Sequence, residues 1–295
     1  MPFLIALILY KKFYKNAGVS FEFFFLQFTA LPWYWYLVLI VFSLLNWSLE
    51  IRKWQYLICK IELQSFKVAC KSVLSGMAVS QLLPFRTGEF LGRLAYVRDE
   101  NKINAGILSI AGSFTQLLVT LFFGALAFFY LKPIEVPLFF ILSLTAFIGL
   151  LVLGYLYMPQ FVPLKNTAFF TSIREALGLL KRRDRLRLIG FSSLRYLLFV
   201  LPYALMAQYF HVGHENNLLF LMCSVSCIFF LQTVSPSFIL TDLAIRISVP
   251  ALVFSGSFDS SNNFDFMPGM VIYVFNILIP MLIGAGVLLS LKLKK

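Results

Sequence analysis

The segment Pro84-Phe-Arg-Thr-Gly-Glu-Phe-Leu-Gly-Arg93 holds the residues best suited to chemistry. Read as a helix beyond the proline, it sets Arg86, Glu89 and Arg93 at i, i+3 and i+7, on one face. Two guanidinium groups against one carboxylate leave a positive site, and the planar guanidinium fork matches phosphate oxygens by geometry. Gly88 and Gly92 allow a second backbone to come close. The competing reading is an interfacial loop held by snorkelling arginines. A second pair, Asp242 and Arg246, stands four residues apart between apolar neighbours. It fits an anion-binding pair and a structural ion pair equally well. Asn46, Glu50 and Lys53 share a third helical face, where the sequence favours the polar end of an interfacial helix. Cys223 and Cys227 are one turn apart with no histidine nearby, so they read as packing residues and not as metal ligands. No cofactor and no metal site are expected.

The elements that must carry these residues are membrane helices. Of 295 residues, 60% are hydrophobic, 17% aromatic and only 13% charged, with mean hydropathy +0.85. Soluble chains carry about 25% charged residues. The net charge of +12 could suggest nucleic acid, but its placement argues against that partner. Basic residues cluster at 52–102, 165–187 and 292–295, beside long apolar runs, whereas 103–164 and 188–245 hold only Lys132 and Arg195. This is the positive-inside pattern, and it also favours anionic lipid headgroups.

Apolar runs predict spans at 33–51, 103–131, 136–157, 186–210 and 268–291. Trp33-Tyr-Trp-Tyr36 reads as an aromatic interface belt. Residues 1–10 are too short to cross and precede Lys11, Lys12 and Lys15, which fits the stub of a first helix. The basic 158–187 segment reads as a cytoplasmic loop, and the 257–267 loop, with Asp259 and Asp265, as an outer one. A full crossing by 66–83 would place 158–187 on the wrong side. The conflict vanishes if 66–102 enters, turns near Pro84 and returns, and if 217–256 does the same from the other side near Pro236. Ser72, Gly76 and Ser80 then form a close-packing stripe. The expected fold is all-α: a polytopic membrane helix bundle with two re-entrant helical hairpins in an inverted repeat. It is one domain over 1–295, with a first repeat at 33–131, a linking helix at 136–157 and a second repeat at 186–291. Such folds bind substrate where broken helices meet near the midplane. Gln81-x-x-Pro84 with Glu89 and Arg93 is echoed by Gln232-x-x-x-Pro236 with Asp242 and Arg246.

Asn46-Trp47, Glu50, Lys53-Trp54, Ser75-Gly76 and Pro84-x-Arg86-x-Gly88-Glu89 with Arg93 together resemble the lysylphosphatidylglycerol synthase transmembrane region family, from about residue 33 to the end. The resemblance implies a flippase-like protein of the bacterial inner membrane. In the family's full-length synthases, this region moves aminoacylated phospholipid between leaflets while a separate soluble domain makes it. Because the chain ends at Lys295, the expectation is lipid translocation without synthesis, hence no enzyme activity. Membrane lipids with an anionic headgroup are the expected partners, together with a separate lipid-modifying enzyme. The expected substrate-binding residues are Arg86, Glu89, Arg93, Asp242 and Arg246. One departure concerns Pro236-Ser-Phe-Ile-Leu-Thr-Asp242, which lacks the family's glycines and has Asp where Glu is usual. Two alternatives remain: a polyprenyl-phosphate-dependent glycosyltransferase and a non-transporting accessory subunit. The first usually needs closely spaced carboxylates such as Asp-x-Asp, and the only adjacent acids are Asp99 and Glu100.

Overall fold

The computed structural model describes residues 21–80, 88–131, 138–157, 168–212, 217–234, 239–255 and 265–292, and these contain helices and no strand. In chain order the helices are α1 (Phe21–Thr29), α2 (Trp33–Ile58), α3 (Phe66–Ser80), α4 (Gly88–Leu94), α5 (Lys102–Leu131), α6 (Leu138–Leu156) and α7 (Ala168–Gly178), followed by α8 (Arg182–Tyr209), α9 (Leu218–Val234), α10 (Ile239–Ser255), α11 (Met267–Tyr273) and α12 (Ile279–Lys292). Among the described residues, four helical stretches are long and apolar enough to cross a membrane: Trp33–Ile58, Asp99–Leu131, Arg182–Tyr209 and Met267–Ser290. Their exposed surface is rich in Leu, Ile, Val and Phe, as lipid contact requires. Residues 1–10, Lys11, Lys12, Lys15, Pro84, Arg86, Pro236 and Asp259 lie outside the described residues.

The chain divides into two compact units, and each long helix contributes a stretch to both. One unit comprises Asn46–Phe122, Phe139–Tyr196 and Pro280–Lys295. Here α3 and α4 form a tight antiparallel hairpin, made possible by small residues on both helices. A Cβ on Gly76 would lie 2.6 Å from the Glu89 carbonyl oxygen, and one on Gly92 would lie 2.5 Å from that of Ser75. The Ser72 hydroxyl donates to the Arg93 carbonyl at 3.1 Å, and Ser75 pairs with the Tyr96 hydroxyl at 3.1 Å. The Ser72–Gly76 stripe therefore faces α4.

Two features of this unit differ from the sequence expectation. α2 continues past residue 51 to Ile58, because Trp54, Leu57 and Ile58 are fully buried and Lys53 is held in a polar network. The 158–187 segment is also no simple loop, since it contains α7. Ile173, Leu177 and Leu180 pack with Leu57, Leu108 and Leu188, which gives a short amphipathic helix a core to lie on. α8 then starts with Asp184 accepting the backbone N–H of Lys181 at 2.9 Å, a reach back to the helix entry that satisfies an orphan donor.

Outside the spans, Glu62 ties two turns together. It accepts from Gln64 Nε2 at 2.9 Å, Asn101 Nδ2 at 2.9 Å and the Arg98 backbone N–H at 3.4 Å. Burial pushes its carboxyl pKa up, but these donors outweigh burial and hold it below the ordinary value. A depressed folded-state pKa means that the stabilisation is present above the unfolded value and is lost as pH falls through the folded one. Thermal unfolding in detergent is expected to show a midpoint that drops on acidification below pH ~4.3, the ordinary Glu value. Glu62→Gln is expected to lower the midpoint at neutral pH and flatten that part of the profile.

The other unit comprises Met1–Leu45, Phe123–Leu138 and Leu197–Ile279. α9 and α10 pack against one another within it. Between α11 and α12 the helix widens into a π turn at Val274–Leu278. Pro280 has no N–H to give to Asn276, and Ile279 bonds to Val274 in place of Phe275. The Phe275 carbonyl so released accepts the buried Ser43 hydroxyl at 2.8 Å. α8 ends with His211 at φ 52, the left-handed position that closes a helix, and the Val212 N–H reaches back to Ala207 at 2.9 Å.

Candidate functional site

α2 presents Asn46, Glu50 and Lys53 along one face, and all three are buried. Glu50, 3% exposed, is the hub of an ion cluster. Arg93 of α4 donates from Nη2 to Glu50 Oε1 at 2.5 Å, and the same nitrogen donates to Glu89. Arg195 of α8 donates from Nη1 to Glu50 Oε2 and from Nε to Asn46 Oδ1 at 3.0 Å. Lys53 Nζ lies 3.6 Å from Glu50 Oε2 and donates to Ser192 Oγ at 3.2 Å. Ser192 is in turn 2.7 Å from Thr115 Oγ1 on α5. The cluster therefore fastens the α3–α4 hairpin to the three helices around it.

Burial here has local causes. Gly112 of α5 leaves room for the Leu57 side chain beside the Lys53 stem, since a Cβ there would lie 2.7 Å from Leu57 Cδ1. The Arg93 guanidinium sits over the Trp54 ring at 5.3 Å, a cation–π contact that offsets part of its desolvation. Among the described residues, Lys53, Arg93 and Arg195 face two acids in formal charge, Glu50 and Glu89. The balance is one net positive charge. Arg93 is 2% exposed, and its Nε is buried without a hydrogen-bond partner among the described residues. Glu89 has a side chain 33% exposed and is the one accessible member of the pair that holds Arg93. Such a cluster can accept an anion that competes with Glu89 for Arg93.

Of the residues singled out by sequence, Glu89 and Arg93 are brought together in this cluster. Arg86 lies outside the described residues, and the Asp242 side chain is not among those described. Arg246 belongs to the other unit. There it sits 5.1 Å from the Tyr273 ring centroid and lines a cavity of about 30 Å³ with Tyr203, Gln232 and Tyr273. The Tyr203 hydroxyl is buried in that unit with no hydrogen-bond partner among the described residues. Sequence reasoning missed Arg195 and undervalued Glu50 and Lys53. The signal for Arg195 was available: a lone arginine inside an apolar span is a functional candidate by default.

Compared with known proteins, residues 3–241 match the model of the lysylphosphatidylglycerol synthase TM region. No curated protein and no solved structure matches the chain. The match begins well ahead of residue 33 and ends at 241, so it includes Asn46, Glu50, Lys53, Glu89, Arg93 and Arg195 but stops short of Asp242 and Arg246. The buried charges of the ion cluster thus lie on helices of the matched region, and the chain is an integral membrane protein belonging to the lysylphosphatidylglycerol synthase TM region family.

Proposed function

We propose that the protein is a flippase-like transporter of the bacterial inner membrane that moves an anionic or amphiphilic lipid between leaflets and catalyses no synthesis itself. The observation that carries this reading is Arg93, a buried guanidinium with an unpartnered Nε in a cluster with net positive charge. Buried charge in a membrane protein is costly and is retained where it binds or conducts something. A lipid phosphate offers the oxygens that Arg93 can take up as Glu89 gives way, while Glu50 keeps Arg195 and Lys53 in place. By sequence spacing Arg86 and, separately, Asp242 with Arg246 are further candidates for lipid contact.

In this reading the α3–α4 and α9–α10 pairs are re-entrant hairpins of an inverted repeat. Their lengths support it. The 15 residues of α3 extend roughly 22 Å at 1.5 Å per residue, short of the ~30 Å hydrocarbon core. α4 is shorter still and packs back on α3. A separate lipid-modifying enzyme would supply the substrate.

The test compares variants reconstituted at matched protein levels in vesicles carrying a fluorescent phosphatidylglycerol, with headgroup exposure read by chemical quenching. Arg93→Lys and Glu89→Gln are expected to lose most translocation, because an ammonium cannot copy the forked contact and a neutral amide cannot cycle with Arg93. Arg183→Lys, on the exposed start of α8, is expected to leave it unchanged. Parent rates in both site variants would move the site away from Arg93.

A further inference from the structure

A second set of unsatisfied donors lies where the end of α6 meets the start of α8. Arg182 packs over the Tyr157 ring at 5.7 Å, which joins the two helix ends. Within this junction the charge of Arg185 acts on the Tyr155 hydroxyl. Tyr155 is 2% exposed and Arg185 9%. Among the described residues Arg185 Nε, Arg185 Nη1 and the Tyr155 hydroxyl are all buried without a hydrogen-bond partner. Buried polar groups in native proteins are nearly always paired, and a buried guanidinium most of all.

The neighbouring acid does not serve. Asp184 accepts from the Tyr56 hydroxyl, from the Lys181 N–H at 2.9 Å and from Lys60 Nζ at 3.0 Å. Of the other arginines here, Arg182 sits on Tyr157 and Arg187 on the Tyr56 ring at 5.1 Å, and Arg183 is exposed. What remains is three buried N–H and O–H groups with one positive charge and no carboxylate among them. Their chemistry calls for a compact anion with several oxygens. Their place calls for one at headgroup depth, since α6 is apolar up to this end and α8 begins here among basic residues.

We propose that Arg185 and Tyr155 bind a phosphate group, carried by the headgroup of an anionic phospholipid or present as free phosphate. The site shares no residue with the Glu50 cluster and is a holding site at the membrane boundary, with no part in translocation. The full chain, purified in detergent, is titrated separately with short-chain phosphatidylglycerol, the matching phosphate-free diacylglycerol and inorganic phosphate, and the thermal unfolding midpoint is read. Phosphatidylglycerol is expected to raise the midpoint and diacylglycerol to leave it unmoved. Arg185→Gln is expected to weaken the response about tenfold or more, the loss of one charge-assisted contact. Tyr155→Phe, which keeps the ring packed against Phe114, weakens it in the same direction, and Arg183→Gln does not. If inorganic phosphate alone reproduces the shift and its dependence on Arg185, the source is free phosphate. If Arg185→Gln fails to fold, Tyr155→Phe decides. A parent response that survives both changes, or no response to either phosphate compound, overturns the proposal. Translocation plays no part in this readout, so the outcome stands apart from the transport reading.

Discussion

Replacing Glu50 by alanine is expected to cost more stability than any other single change in the described charge cluster. Glu50 uses both carboxylate oxygens, one on Arg93 and one on Arg195, with Lys53 beside the second. Its removal leaves Arg195 with only Asn46 and Lys53 with only Ser192. Arg93 keeps Glu89 and the Trp54 ring. Breaking a buried pair by deleting one partner costs about 3–5 kcal/mol, against a total stability of only about 5–15 kcal/mol. Detergent-extracted Glu50→Ala should therefore yield little monodisperse protein and a sharply lowered unfolding midpoint. Glu50→Gln keeps the shape and one acceptor oxygen and should fall between this variant and the parent. A parent-like midpoint for Glu50→Ala would mean that the cluster contributes nothing to the fold.

The second large effect is expected at Gly92. An added Cβ would meet the Ser75 carbonyl oxygen at 2.5 Å and Gly76 Cα at 2.6 Å, both backbone atoms that no rotamer change can move. Gly92→Ala must separate α3 from α4. Overpacking of this kind costs about 1–3 kcal/mol. The consequence for function is expected to be greater, because Arg93 is the next residue and its guanidinium would be carried away from Glu50. Translocation should fall to near background while much of the protein still folds. Gly149 on α6 has nothing within 4 Å of such a Cβ, so Gly149→Ala serves as the control and should change neither property.

Much of the fold could be read from the sequence because membrane spans follow from apolar length and basic flanks. The partners in the cluster could not. Glu89 and Arg93 were visible as an i, i+4 pair, but the carboxylate that completes Arg93 lies on α2, and Arg195 comes from α8. Only tertiary packing brings those helices together. The same polar residues hid the end of α2: Arg52 and Lys53 break the apolar run at 51, yet the helix continues because Lys53 is compensated by Glu50 and Ser192. α7 was masked by the basic residues around it. The spacing of Ile173, Ala176 and Leu177 within it, continued by Leu180 just beyond, carries a helical period that marks a buried face. Ser72 and Gly76 were read as a packing stripe without a partner, and the partner is the close backbone of Gly92. The acid–arginine spacing common to Glu89–Arg93 and Asp242–Arg246 was legible, but a spacing alone does not say what each pair touches. Arg93 meets two carboxylates, whereas Arg246 stacks on Tyr273.

The most direct measurement is the rate at which a fluorescent phosphatidylglycerol, placed in one leaflet of sealed vesicles, becomes accessible in the other when the purified parent chain is present. Exchange is expected to run well above that of protein-free vesicles, to rise with the amount of protein inserted and to fall to background with Arg93→Lys. Exchange equal to that of protein-free vesicles, from protein shown to be folded and inserted, would contradict this expectation.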